Sequence, residues 1–137
     1  MAIHYFTEDI DYPLPTAAVT GWLERVLAKE NARAKEINYI FCSDDYLLAM
    51  NRQYLNHDTY TDILTFDNAD EPGKLEADIY ISLDRVKENA ATLNINVNDE
   101  LQRVMVHGLL HLLGYTDKTE EEKKEMREKE DACLSLR

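Results

Sequence analysis

The sequence contains little cysteine, lacks a long apolar run and has far fewer basic than acidic residues. Its two cysteines, Cys42 and Cys133, do not form a CxxC pair, so we expect two reduced thiols rather than a disulfide framework. No segment approaches the roughly 18–20 apolar residues that span a bilayer, and the N-terminus carries no basic n-region. We therefore predict a soluble, unprocessed protein of the cytoplasm with no membrane partner.

The charge balance does not favour a general nucleic-acid binder. With 27 acidic and 15 basic residues, the formal net charge is −12 at pH 7, whereas nucleic-acid-binding domains usually show a basic excess. Apolar residues make up 45% and charged residues 31% of the chain, which is typical of a globular protein rather than a disordered one. Any anionic partner must therefore meet a local basic patch.

Helix and strand patterns alternate along the chain, without repeats or low-complexity linkers. We predict strands at 3–6, 37–42, 62–66 and 75–83, and helices that begin at Thr16, after Ser43, at 84–95, at 99–113 and at Thr119. Thr16 and Asn98 are the expected N-caps of their helices, and Thr119 with Glu122 matches a capping box. These patterns predict one α/β (α+β) domain over residues 1–137, with a small mixed sheet of about four strands and about five helices.

The charge-rich segment 118–131 predicts a helix with a solvated face. Acidic and basic residues stand four apart in it, as in Glu120 with Lys124 and Glu125 with Lys129. Side chains at this spacing are neighbours on a helix surface and stabilise it weakly.

The stretch HGLLHLLGYTD (107–117) is the most informative part of the sequence. Helix 99–113 is apolar nearly all round, which predicts a central, buried helix. His107 and His111 stand four residues apart, so both imidazoles lie on one face and a divalent metal satisfies them together. Gly114 can end the helix in a left-handed conformation and turn the chain back, so that Asp117 supplies a third ligand. Three ligands and an open fourth position predict a catalytic metal site, and two hydrogen-bonded packing histidines are the alternative.

The residue after the first histidine disfavours a peptidase. In HExxH metalloproteases this position holds the glutamate that acts as general base. Here it is Gly108. The metal site is therefore expected to hydrolyse a bond other than a peptide bond.

Three sequence blocks resemble the YbeY family, the bacterial rRNA-maturation endoribonucleases. HGLLHLLGY (107–115) is similar to the family signature HGxLHLxGYDH. NRQYLNHDTYTDILTFD (51–67) resembles its NxxYRxxDxPTDVLSF segment, and ADIYIS (77–82) resembles its GDIxIS strand. The blocks follow in the family's order and spacing, so the resemblance extends from about residue 37 onward.

The resemblance implies a metal-dependent, single-strand-directed endoribonuclease. It implies a role in 16S rRNA 3′-end maturation and ribosome quality control, with precursor rRNA as substrate and the small ribosomal subunit or a ribosome-associated protein as partner. Two departures bear on activity. Asp117 and Thr116 replace a histidine ligand and the acidic residue before it, and Leu55 replaces an arginine. With an aspartate ligand, zinc remains the expected cofactor, and manganese, iron or nickel compete better.

The catalytic groups other than the metal ligands are less well defined by the sequence. His57 and Asp58 precede strand 62–66 and are candidates for the general base, although turn residues are an equal alternative. Thr61 and Asp62 are expected to be structural, as strand cap or support of the site. Arg103 lies one turn before His107 on the same face, so it is the candidate for holding a phosphate near the metal. Further cations could line an RNA groove, each with a plain surface role as alternative: Arg52, Lys74, Arg85 and Lys87.

Two other functions remain open. The chain could be a ribosome-assembly factor whose metal is mainly structural, in which case a fourth protein ligand closes the site. It could also be a metal-dependent hydrolase of a small phosphoester or amide, which predicts a deep pocket rather than a groove. The strongly acidic charge further raises the hypothesis that a ribosomal or GTPase protein brings the RNA.

Overall fold

The structure, a computed structural model, describes residues 2–55 and 61–137, and at residue 55 it describes the backbone alone. Four strands and five helices occur in this part of the chain. They are β1 (Ile3–Thr7), α1 (Thr16–Lys29), β2 (Arg33–Cys42), α2 (Asp44–Leu55), β3 (Ile63–Asp67), β4 (Lys74–Ser82), α3 (Leu83–Leu93), α4 (Val97–Leu112) and α5 (Glu120–Leu134). The predicted α/β class and element numbers are confirmed. Among these helices none is long and apolar enough to cross a membrane.

The four strands form one mixed sheet in the order β1-β2-β4-β3. Strand β2 pairs in parallel with β1 and with β4. Strand β3 runs antiparallel to β4, with Leu64 opposite Tyr80, and so forms one edge of the sheet. This edge strand lies next to α4, which carries the two histidines.

The main core lies between one face of the sheet and helices α1, α3, α4 and α5. Alternate residues of β2 point into it, and Ile37, Tyr39 and Phe41 are buried there, as the two-residue period of a strand requires. The Tyr39 hydroxyl donates to the Met105 carbonyl of α4 at 3.1 Å. Each large apolar side chain buried in this way contributes about 1.5–3 kcal/mol. Helix α4 is therefore held at the centre of the molecule.

Two predicted N-caps are wrong. Helix α4 begins at Val97 and is capped by Asn96, whose side chain accepts from the Asn98 backbone N–H at 2.7 Å. The Asn98 side chain instead accepts from the hydroxyl of Tyr12, so a tertiary contact takes the residue that local propensity favours as a cap. Helix α1 begins at Thr16, and the cap position is Pro15, with no side-chain cap.

The C-terminal helix differs from its predicted environment. Its capping box forms as expected between Thr119 and Glu122. However, one side of α5 packs inward and buries Met126, Glu130 and Cys133. The charged pairs also differ from the predicted ones: Glu120 pairs with Lys123, and Lys129 pairs with Glu30, the residue that follows α1. The helix therefore has the predicted solvated face, and it also has a buried side that was not predicted.

Both cysteines are buried and free, as predicted. Burial raises the pKa of the Cys42 thiol to about 12 and also raises the pKa of Cys133. Neither thiol is therefore activated as a nucleophile.

Candidate metal centre

The end of α4 places the two histidines at the surface of the core. The helix ends at Leu112, and Gly114 then adopts a φ of +103°, a left-handed conformation that glycine tolerates without strain. The Tyr115 backbone N–H donates back to the Leu110 carbonyl at 3.1 Å. The chain thus reverses within one turn of His111, as the sequence predicted.

Side-chain contacts fix the loop that follows. The Tyr115 hydroxyl donates to the carboxylate of Glu30, the residue that follows α1, at 3.1 Å. The Thr116 hydroxyl donates to Glu122 of α5 at 2.6 Å. Because Tyr115 and Thr116 directly precede Asp117, these contacts fix the position of the Asp117 carboxylate next to the two histidines.

The side chains of His107, His111 and Asp117 converge on one point. Their nearest donor atoms are His107 Nε2 and His111 Nε2 at 3.0 Å, His107 Nε2 and Asp117 Oδ2 at 3.5 Å, and His111 Nε2 and Asp117 Oδ2 at 3.6 Å. Ligand atoms about 2.0–2.1 Å from a tetrahedral zinc ion lie about 3.3 Å apart, so these separations fit one metal ion. In the described part of the chain, this is the one group of His, Cys, Asp or Glu side chains that could hold a metal.

The ligand side chains are accessible from one side. The exposed fractions of the His107, His111 and Asp117 side chains are 23%, 34% and 39%. A groove of about 370 Å³ runs between α4 and the edge strand β3. Its lining includes both histidines, Thr65 and Asp67. A metal held by these residues would therefore face solvent and a possible substrate.

Gly108 allows α4 to approach the sheet closely. A Cβ atom at this position would lie 2.7 Å from Ile63 Cδ1, which is a steric overlap. It would also lie 3.4 Å from Ile79 Cγ2 and 3.5 Å from Thr65 Oγ1. The position that carries the general base in HExxH enzymes therefore faces the sheet here and cannot serve the metal.

On its other side, His107 contacts α5. Its Nδ1 lies 2.6 Å from Glu130 Oε2. Burial by itself lowers the pKa of His107, but the hydrogen bond and charge of Glu130, together with Asp117 and Asp62, raise it above its ordinary value. Glu130 is itself paired with Arg103, at 2.9 Å.

A small, partly open cavity adjoins this contact. It has a volume of about 160 Å³ and is lined by Asp62, Glu100, Arg103, Val104, His107 and Glu130. Burial raises the pKa of Asp62, although His107 opposes the shift. Burial and the charge of Asp62 raise the pKa of Glu100, whose Oε1 has no hydrogen-bond partner. The cavity therefore contains three carboxylates and one guanidinium, and it adjoins His107 on the side away from Asp117.

The other predicted site residues are placed as follows. The Arg103 guanidinium is bound to Glu130 and to Asp131, at 2.9 and 2.5 Å, so its predicted phosphate contact stays a prediction. His57 and Asp58, the predicted bases, lie outside the described residues. The side chain of Leu55 does too.

The two residues before β3 and two of the candidate RNA cations have structural contacts. The Thr61 hydroxyl donates to the Ile63 carbonyl at 3.4 Å, and the Asp62 carbonyl accepts from the Ser82 backbone N–H at 3.0 Å. Among the cations, Lys74 pairs with Glu71 and Arg85 with Asp44.

Sequence reasoning missed Glu130. Because Glu130 lies in the charge-rich segment 118–131, it was assigned to the solvated face of that helix. A signal was nevertheless present, because Met126, Glu130 and Cys133 follow a spacing of four and three residues and so share one face of α5. A carboxylate between two apolar residues on such a face predicts a buried, paired group.

Comparison with known proteins agrees with the three sequence blocks. The family model described as Endoribonuclease YbeY matches residues 4–136. A protein named Endoribonuclease YbeY from Cytophaga hutchinsonii is 57% identical over 136 residues, which cover 98% of this chain and 95% of that protein. Its namesake from Amoebophilus asiaticus is 48% identical over 133 residues, covering 96% and 90% of the two chains. The solution structure of TM1509 from Thermotoga maritima is similar with a TM-score of 0.67 and 30% identity, over 98% of this chain and 87% of that one.

Proposed function

The chain belongs to the Endoribonuclease YbeY family, and from this premise we propose that it is a metal-dependent endoribonuclease that cleaves single-stranded RNA. The observation that carries the proposal is the convergence of two imidazole nitrogens and one carboxylate oxygen within 3.0–3.6 Å of one another. These atoms lie beside an open groove. Metal-assisted hydrolysis of a phosphodiester requires ligands that leave the ion accessible to the substrate in this way.

His107, His111 and Asp117 would hold the metal. A divalent ion bound there supplies a Lewis acid for a phosphoryl oxygen and lowers the pKa of a coordinated water towards about 7. The donor set fits zinc, and its carboxylate also suits manganese, iron or nickel. The chain's own contribution is to fix three donors and leave a further position open to solvent.

The general base is assigned to the segment before β3. His57 and Asp58 remain its candidates, as predicted from the sequence. The packing of Gly108 against Ile63 supports this assignment indirectly, since it leaves no room for a base next to the first histidine. Arg103 would have to release Glu130 or Asp131 before it could hold a phosphate.

The shape of the site favours an enzyme over the two alternatives. In the described residues the cluster contains three ligands and no fourth His, Cys, Asp or Glu, whereas a structural metal is usually closed by four. The space beside the ligands is a groove along β3 rather than a deep pocket, which favours an extended substrate over a small one.

We further propose that the substrate is precursor 16S rRNA at its 3′ end and that the protein works in the cytoplasm with the small ribosomal subunit. This part of the proposal rests on the family resemblance. The formal net charge of −12 and the carboxylate partners of Lys74 and Arg85 leave little positive charge for phosphates. A ribosomal or GTPase partner that presents the RNA is therefore part of the proposal.

Cleavage of a labelled RNA that spans the 3′ end of 16S rRNA tests the activity. The wild-type protein, stripped by a chelator and reloaded with zinc or manganese, is compared with His111→Ala. His4→Ala is the matched control, because His4 lies on β1 outside the cluster. We expect metal-dependent cleavage by the wild type and His4→Ala and none by His111→Ala.

A duplex of the same RNA and a small phosphodiester serve as alternative substrates. Preference for the single strand supports the proposal. Turnover of the small ester alone would favour the small-substrate hydrolase. Full metal loading without cleavage of any substrate, with or without small ribosomal subunits, would favour the assembly factor.

A further inference from the structure

We propose that Glu130 of α5 is a positioning residue that orients His107 for metal binding. The proposal rests on the proposed metal site and deepens it, because it assigns a role to a residue outside the ligand set. Glu130 does not reach the point where the three ligand atoms converge. It acts through the far nitrogen of the imidazole ring.

The contact between Glu130 and His107 is short and buried. The Oε2 atom lies 2.6 Å from His107 Nδ1, and the Glu130 side chain is 8% exposed. At this distance the Nδ1–H donates to a carboxylate, which is among the stronger hydrogen bonds in proteins. The ring is then fixed with Nε2 towards His111 and Asp117, where the metal ligands converge.

The carboxylate of Glu130 is held in place at its other oxygen. Oε1 accepts from Arg103 Nη1 at 2.9 Å, and Arg103 Nη2 donates to Asp131 at 2.5 Å. Arg103 stands one turn before His107 on α4, so helices α4 and α5 are joined by a continuous chain of polar contacts. Both oxygens of Glu130 are thereby used, and neither the carboxylate nor the imidazole is free to rotate.

A carboxylate on the far nitrogen of a ligating histidine has two effects. It selects the tautomer that leaves the lone pair on the metal-facing nitrogen, and it makes that nitrogen a stronger donor. Removal of such a partner typically lowers metal affinity about 10- to 100-fold. The structure gives Glu130 this arrangement through packing of α5, because Met126 and Cys133 are buried on either side of it.

The test compares Glu130→Leu and Glu130→Gln with the matched control Asp131→Asn. Leucine removes both oxygens, whereas glutamine keeps one acceptor and loses the charge. Asp131→Asn weakens the outer contact of Arg103 and leaves the Glu130–His107 contact intact. Zinc affinity is measured by competition with a chromophoric chelator. The ring nitrogens of His107 are observed by ¹⁵N NMR in the metal-free protein, and thermal unfolding reports whether each variant is folded.

We expect zinc affinity to fall about 10- to 100-fold in Glu130→Leu, by less in Glu130→Gln and by less than about threefold in Asp131→Asn. The NMR signal of a hydrogen-bonded Nδ1–H on His107 should be present in the wild type and in Asp131→Asn, and lost in Glu130→Leu. If Glu130→Leu does not fold, Glu130→Gln carries the comparison. Equal affinity and an unchanged ring signal in folded Glu130 variants would overturn the proposal.

The two proposals fail separately. If the wild type binds no zinc, the proposed metal site fails, and the ring signal of the metal-free protein still decides whether Glu130 orients His107. If all variants bind zinc equally, the metal site stands and the role of Glu130 is refuted. A variant that loses thermal stability but keeps its affinity would show Glu130 to be structural only, which also refutes it.

Discussion

Helices α4 and α5 pack against each other and have opposite compositions. Helix α4 buries eight of its residues, and six of these are large apolar side chains: Leu101, Val104, Met105, Val106, Leu109 and Leu110. Helix α5 buries three residues, one of which is the glutamate that contacts His107. The apolar helix thus contributes two of the three proposed ligands, His107 and His111, and the polar helix contributes the glutamate that contacts His107.

The difference shows that a functional polar residue is easier to predict from the sequence of an apolar helix than from that of a charged one. A histidine in an apolar helix is conspicuous, because an unpartnered buried imidazole is unfavourable by about 1–3 kcal/mol. A glutamate in a charged helix is not conspicuous, although Glu130 is more deeply buried than either histidine. In the sequence of α5, Glu130 therefore cannot be told by its residue type from the exposed glutamates around it.

The largest expected effect is on the packing of α4. Leu110→Ala should lower the free energy of unfolding by about 2–5 kcal/mol, because it leaves a cavity beneath a fully buried position. Glu128→Ala, at an exposed position of α5, should change it by less than about 0.5 kcal/mol. Urea unfolding of the metal-free proteins measures both. Similar losses for the two variants would contradict the contrast between the helices.

Much of the fold could be predicted because the alternation of apolar residues sets strands and helices locally. The strand at 37–42 and the helix after Ser43 follow from such patterns, as do the capping box at Thr119 and the turn at Gly114. Strand order could not be predicted, since the neighbours β2 and β4 are separated by a helix and a strand along the chain. The cap at Asn96 was missed because a contact with Tyr12 decides how Asn98 is used.

The clustering of His107, His111 and Asp117 could be predicted, and the contact that supports His107 could not. His107 and His111 are neighbours by helical geometry alone. The chain reversal that brings Asp117 back toward them is predicted by Gly114. The partner of His107 comes from a residue 23 positions later in the chain. Such a contact depends on how α4 and α5 pack, which no local spacing specifies.

A smaller effect is expected at the start of α5. Thr119→Ala removes the side-chain acceptor of the Glu122 backbone N–H, at 3.1 Å, and should reduce stability by about 1 kcal/mol. It also loosens the Glu122 carboxylate that holds Thr116, next to Asp117. We therefore expect a modest loss of metal affinity as well.

Thermal unfolding and zinc competition check this pair of effects. The control is Thr92→Ala, at an exposed position within α3, for which we expect a change below about 0.5 kcal/mol. A Thr119→Ala protein that loses stability while keeping full zinc affinity would show that α5 orients the site through Glu130 and not through its first turn.

The smallest expected effect is a gain in stability from Glu100→Gln. Burial raises the pKa of Glu100 above its unfolded value, so the stability this group contributes is present below about pH 4.3 and is lost as pH rises through the folded-state pKa. Removing the charge should therefore stabilise the metal-free protein at pH 7 by up to about 1 kcal/mol. The gain should disappear below about pH 4.

Unfolding of Glu100→Gln and the exposed control Glu128→Gln at both pH values measures this effect. A loss of stability at neutral pH would mean that the Glu100 carboxylate has a favourable partner in the cavity. That result would weaken the contrast between Glu100, a buried carboxylate with an unpaired oxygen, and the exposed carboxylates of α5.

The most direct test of the metal centre is the metal content of the purified protein. Wild type and His4→Ala should each contain about one divalent metal per chain, and His111→Ala and Asp117→Ala should contain almost none. Loss in His111→Ala alone would remove Asp117 from the ligand set. No metal in any sample, with the wild type folded and zinc supplied, would contradict the account and return His107 and His111 to a packing role.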